Sequence, residues 1–137
     1  MKKAVSLMLL GLLLATGAGF AGEARKDDKD PLAKFPEDKL VDIGFCFQEF
    51  CKAVASKDAR TAAAFIDDLP RGLKQLDLNK EADKASFLRF LAAYEGAQLV
   101  SSIRMAGGIG EVTYTKGGKE LKQRMQNVGG RWKVTGL

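Results

Sequence analysis

No histidine occurs anywhere in the 137 residues. The side chain that most often acts as general base and metal ligand near neutral pH is therefore missing. Cys-His and Ser-His nucleophile pairs are excluded with it, as is haem attachment through Cys-x-x-Cys-His. Cysteine is scarce too. Cys46 and Cys51 are the only two, and their spacing is not the Cys-x-x-Cys of a thiol redox site. Asp67-Asp68 is the one acidic pair late in a predicted helix, too few oxygen ligands for a cation, so neither metal nor cofactor is expected. The excess of positive charge is small. Of 22 basic and 17 acidic side chains, net +5, two are Lys2 and Lys3 at the extreme N-terminus, and without them the balance is +3. Acids and bases interleave along the rest, so the clustered basic face of a nucleic-acid binder is absent. After the N-terminus there is no long apolar run, no internal repeat and no low-complexity tract.

What is present begins with the leader. Lys2 and Lys3 precede an apolar stretch over residues 4–15, followed by Thr16, Gly17, Ala18, Gly19, Phe20 and Ala21. Positive, apolar, then small is the layout of a cleavable secretory signal. The stretch is shorter than the ~20 residues of a spanning helix. Gly19 and Ala21 place the cut after Ala21, with Ala18 and Ala24 as alternatives. The first cysteine is Cys46, which argues against a lipoprotein. The reading is a signal peptide over 1–21, a polar linker over 22–38 carrying Pro31 and Pro36, and one domain over 39–137. The destination is the periplasm or the exterior, with no transmembrane span after cleavage.

From Lys39 the residues Leu40, Ile43, Phe47, Phe50, Cys51 and Val54 recur at helical spacing, with Asp38 as N-cap. Val41 and Phe45 fall off that face, so a second element covers them or they line a pocket. A second helix starts at Asp58 and ends near Leu69, before Pro70 and Gly72. A short irregular or single-turn segment covers 73–78. Asn79 caps a third helix whose face carries Phe87, Phe90, Leu91 and Tyr94, ended by Gly96. The period then becomes two. Leu99, Ser101, Ile103 and Met105 fall on one side of a strand. Val112 and Tyr114 define a second strand, Leu121, Gln123 and Met125 a third, Trp132 and Val134 a fourth. Glycine-rich turns separate them. Three helices followed by a four-stranded antiparallel meander predict an α+β fold, the helices on one face of the sheet.

Phe47-Gln-Glu-Phe50-Cys-Lys-Ala-Val54-Ala-Ser-Lys-Asp58 with Ala62-Ala-Ala-Phe65 resembles the opening helices of NTF2-like, or cystatin-like, domains. Gly110-Glu-Val-Thr-Tyr114, Lys116-Gly-Gly-Lys119 and Val128-Gly-Gly-Arg-Trp-Lys-Val134 resemble the final strands of that superfamily. The resemblance covers residues 40–136 and points to its small exported bacterial members. It implies a curved sheet forming a cone with a mouth for ligands, for which Phe45, Phe87, Tyr94, Tyr114 and Trp132 are the lining candidates. It also implies an alternative, a cone-type isomerase or hydratase, in which Tyr94 or Tyr114 would pair with Asp67 or Asp68.

Cys46 and Cys51 pose a separate question. An oxidising compartment favours a disulfide. Five residues along an ideal helix rise about 7.5 Å and turn ~140°, beyond the ~7 Å Cα separation that a bridge tolerates. A disulfide therefore requires the helix to begin, bend or bulge between them; two thiols and an intermolecular bridge are the other outcomes. The function expected is a non-catalytic exported domain that binds a small ligand or an envelope protein. A structural or assembly role through the sheet, including a homodimer, stands beside it.

Overall fold

A computed structural model describes residues 30–137. The leader, the cut after Ala21 and linker residues 22–29 lie outside the described residues. The chain divides into two units, 1–33 and 34–137. In the first, the described residues open a 3-10 turn, Pro31–Lys34, where the Asp30 carboxylate accepts the Leu32 N–H at 3.1 Å.

The second unit carries α1 (Glu37–Leu40), α2 (Ile43–Ala55), α3 (Ala59–Ala64), α4 (Arg71–Lys74) and α5 (Glu81–Phe90). A 3-10 turn, Ala92–Tyr94, leads into β1 (Gln98–Met105), β2 (Ile109–Lys116), β3 (Lys119–Val128) and β4 (Arg131–Val134). The strands form one antiparallel sheet in sequence order. The fold is α+β, and α2 packs on β1, β2 and β4.

The described unit has five α-helices where the sequence pattern predicts three. The long helix expected from Lys39 is interrupted at Asp42. Its carboxylate accepts the N–H groups of Gly44 at 3.0 Å and Phe45 at 3.3 Å. Two donors orphaned at the start of α2 are thereby satisfied, so Asp42 rather than Asp38 is the effective cap. Asp58 caps α3 as expected, accepting the Thr61 N–H at 3.2 Å. That helix ends at Ala64, earlier than Pro70 would require. The backbone leaves it to join the sheet: Val134 N–H donates to Phe65 at 2.7 Å, and Asp67 N–H donates to Val134 at 2.7 Å, a parallel bridge centred on Ile66. α4 is a single turn over Arg71–Lys74, sharing only residues 73 and 74 with the segment expected to be irregular or a single turn. Lys80 rather than Asn79 precedes α5, with no side-chain cap; Asn79 donates its N–H to the Asp77 carboxylate.

Ile43, Phe47, Phe50, Cys51 and Val54 on α2 are buried as the periodicity predicts. They meet the helix-facing side of the sheet, where Val112, Met125, Trp132 and Val134 are buried. Each such side chain stabilises the unit by about 1.5–3 kcal/mol. Close approach at the start of α2 depends on Gly110. A Cβ there would lie 3.1 Å from both the Trp132 ring and the Ile103 carbonyl and would collide with the Ile43 δ-methyl. Phe90 departs from the expected pattern: it is exposed at the last position of α5, while Phe87, Leu91 and Tyr94 are buried.

The hairpins follow the sequence closely. Lys116 pairs with Lys119 around Gly117-Gly118, and Val128 with Arg131 around Gly129-Gly130. All four glycines have positive φ, as two-residue turns of this twist demand. β1 departs from the simple alternation. Leu99 opposes Tyr114 and Ser101 opposes Thr113, leaving Val100 as an extra residue. Such a bulge reverses which face the following side chains occupy. Leu99 therefore lies on the helix side with Tyr114. Ser101, Ile103 and Met105 lie on the opposite side with Thr113, Glu111 and Ile109.

Candidate functional site

The five aromatic candidates sort into two groups. Phe87, Tyr94, Tyr114 and Trp132 are buried, and other rings pack against the two tyrosines. Phe47 lies 5.1 Å from Tyr114, Phe50 lies 5.1 Å from Tyr94, and the two tyrosines are 6.0 Å apart. Edge-on and tilted rings at these spacings pack as core. Phe45 is half-buried, and Phe35 covers it edge-on at 5.8 Å. Of the two options for the residues off the α2 face, Phe45 thus takes the first; Val41 is exposed.

Buried polarity inside this aromatic cluster is satisfied. Tyr94 donates its hydroxyl to the Gln123 side-chain oxygen. The Gln123 amide donates to the carbonyls of Arg124 at 2.9 Å and Thr135 at 2.7 Å. Burial, with Tyr114 and Cys51 adding, pushes the Tyr94 phenol up to about 12. Burial likewise raises Tyr114, with Cys51 adding. Asp68 lies 3.7 Å from Lys74, and the Asp67 backbone is tied to β4. Among the described residues no carboxylate is hydrogen-bonded to Tyr94 or Tyr114, so the geometry an Asp-Tyr enzyme needs is not assembled.

Cys46 and Cys51 are separate buried thiols. α2 runs unbroken through both, and the rise between them keeps them too far apart to bridge. Cys46 donates to the Leu40 carbonyl at 3.2 Å. Burial pushes its thiol up to about 11, Asp42 and Glu49 adding and a Trp132 backbone hydrogen bond opposing. Burial pushes Cys51 up to about 12 against the field of Lys116. Both are structural small hydrophobes rather than reactive groups. Among the described residues no group of three or more potential ligands could hold a metal ion, and no helix is long and apolar enough to cross a membrane.

Surface concavities lie elsewhere. One of about 490 Å³ runs beside α5, lined by Ala85, Leu88 and Ala92 together with Lys57, Lys84 and Arg89. Two of those cations already face acids, Lys57 to Glu95 at 3.6 Å and Lys84 to Glu81 at 3.1 Å. A second, of about 410 Å³, separates α2 from the start of β1 and includes Cys51 and Leu99. A third, of about 350 Å³, is lined by Val41, Asp42, Ile43, Ser102 and Arg104.

The two edges of the sheet differ. At β4 the bridge to Ile66 occupies the backbone groups of Val134. At β1 the only neighbouring strand among the described residues is β2. Val100, Ile103 and Met105 there are 55%, 58% and 46% exposed. Arg104 is the single charge in β1, and there is no proline. Charges and proline are the usual protections of an edge; here the bulge at Val100 is the main one. The sequence pattern assigned no role to these residues, although the consecutive serines Ser101-Ser102 interrupt the alternation where the bulge falls. No family model, no curated protein and no solved structure matches the chain.

Proposed function

We propose that this chain is an exported, non-catalytic binding domain of the bacterial periplasm or envelope that engages a protein partner by adding a strand to β1. Among the described residues β1 has no strand on its outer side and is apolar and nearly uncharged there, while at the other edge the bridge to Ile66 occupies Val134; this is the observation that carries this reading. Backbone N–H and C=O groups on such an edge give affinity, and alternate side chains give specificity. The filled aromatic interior favours a protein partner over a small molecule held inside a cone. The order of helices then meander, ending on Trp132, supports an NTF2-like assignment, and the leader over 1–21 supports export.

Expression of the complete chain with its leader, followed by fractionation and mass measurement, tests the location. The expected product begins at Gly22 and sits in the periplasm or medium. Full-length protein retained in the cytoplasm overturns export. Replacement of Ile103 by lysine tests the binding surface: the fold should survive, because Ile103 is solvent-exposed, while partner association is lost.

A further inference from the structure

We infer that the strand added to β1 is β1 of a second copy of this chain, paired antiparallel about a two-fold axis at Ile103. This rests on the protein-binding reading above and names the partner. The bulge at Val100 ends the regular part of the strand, which runs over residues 101–105, about 17 Å. Two copies of this five-residue stretch overlap fully in one antiparallel register only, the one that centres on Ile103. A two-fold antiparallel pair also requires opposed residues to share backbone orientation, hence an even spacing, which this register meets. Ile103 then faces Ile103 of the second copy, and Met105 faces Ser101. Ile103, Met105 and Ile109 share the outer face, so their apolar surface becomes continuous across the axis.

Charge agrees with the same register. Arg104 is the only charged residue of β1, and it is set opposite Ser102 rather than opposite itself. Ser102 and Arg104 line the cleft that also holds Asp42. The incoming guanidinium therefore approaches a hydroxyl and a carboxylate, and the two guanidiniums avoid the direct opposition of like charges that destabilises cross-strand pairs. One short strand pair buries less than the ~1,600 Å² of a standard stable interface. The expected dimer is accordingly weak and dependent on concentration.

Sedimentation velocity of the purified protein from micromolar to millimolar concentration should show monomer passing to dimer and no larger species. Ile103→Lys should weaken dimerisation about 5-fold, since it sets two like charges face to face. Ile103→Cys should form a covalent dimer with diamide, which takes the two electrons and two protons of the paired thiols. Directly opposed residues stand about 4.5–5.5 Å apart at Cα, within disulfide reach. Val128→Cys, on β3 and away from the edge, should not cross-link. A monomer at every concentration, dimerisation unchanged in Ile103→Lys, or cross-linking at 128 but not at 103 overturns the inference. A photoreactive side chain at 103 in producing cells separates it from the broader reading. Adducts with another protein and none with itself overturn self-pairing alone. No adduct of either kind overturns both.

Discussion

Gly110 shows how one missing methyl group sets a helix on a sheet. Its backbone angle is ordinary; space is what it lacks. Gly110→Ala should destabilise the protein by about 1–3 kcal/mol, the usual cost of forcing an extra carbon into a packed core. A urea titration would show the lowered midpoint, and Ile43→Val, which removes the colliding δ-methyl, should recover part of it. The thiols give a prediction in pH. Their ordinary value is 9.0, and the folded protein raises them to about 11 and about 12. Between those limits the unfolded chain has lost thiol protons that the folded chain still holds. Stability is thus fully present below pH 9 and falls as pH rises through the folded values. Tyr94 acts in the same direction from a higher start. The urea midpoint should drop from pH 8.5 to pH 10.5, on the order of the window just derived. Cys46→Ala with Cys51→Ala should shallow that slope, whatever the double variant does to stability at neutral pH.

At the scale of elements, the break at Asp42 divides one expected helix into two. Asp42→Ala should cost about 1 kcal/mol, the typical value of a lost N-cap, read as a lowered melting temperature with the circular-dichroism spectrum unchanged below it. Asp42 was hard to recognise because Asp38 follows Pro36 and satisfies the same local rule. The choice between them is made by burial of Leu40 and Ile43 on either side of the bend, which is tertiary. Hairpins were legible because a two-residue turn needs positive φ and the sequence supplies paired glycines at 117–118 and 129–130. β1 was legible as a strand but not as to its faces. A bulge is a choice between pairing registers, and its only trace in the sequence is the adjacent Ser101 and Ser102. Periodicity places Phe87, Tyr94, Tyr114 and Trp132 inward, where they are buried, and leaves Phe45 off its helix face, where it is half-buried. That Tyr94 and Tyr114 pack against Phe47 and Phe50 rather than line an opening depends on how close α2 sits to the sheet, which Gly110 governs.

At the scale of the whole molecule, the two sides of the described sheet are unlike. The stretch over residues 65–67 closes one side through two short backbone hydrogen bonds. Asp67→Pro removes the donor of one of them and exposes part of β4. The expected result is association beyond a pair, seen as a rising light-scattering mass and thioflavin fluorescence in a protein that otherwise retains its helices. A variant that stays at the wild-type mass would show that the bridge is not what limits growth.

The bridge at Ile66 thus sets a valence. A sheet with two open margins is a bifunctional monomer, and such monomers polymerise. A sheet with one is a chain terminator for its own kind, and two terminators that meet leave nothing to extend. With the three residues after α3 laid on the far margin, the self-pairing proposed for the near margin stops at two copies instead of seeding a fibre.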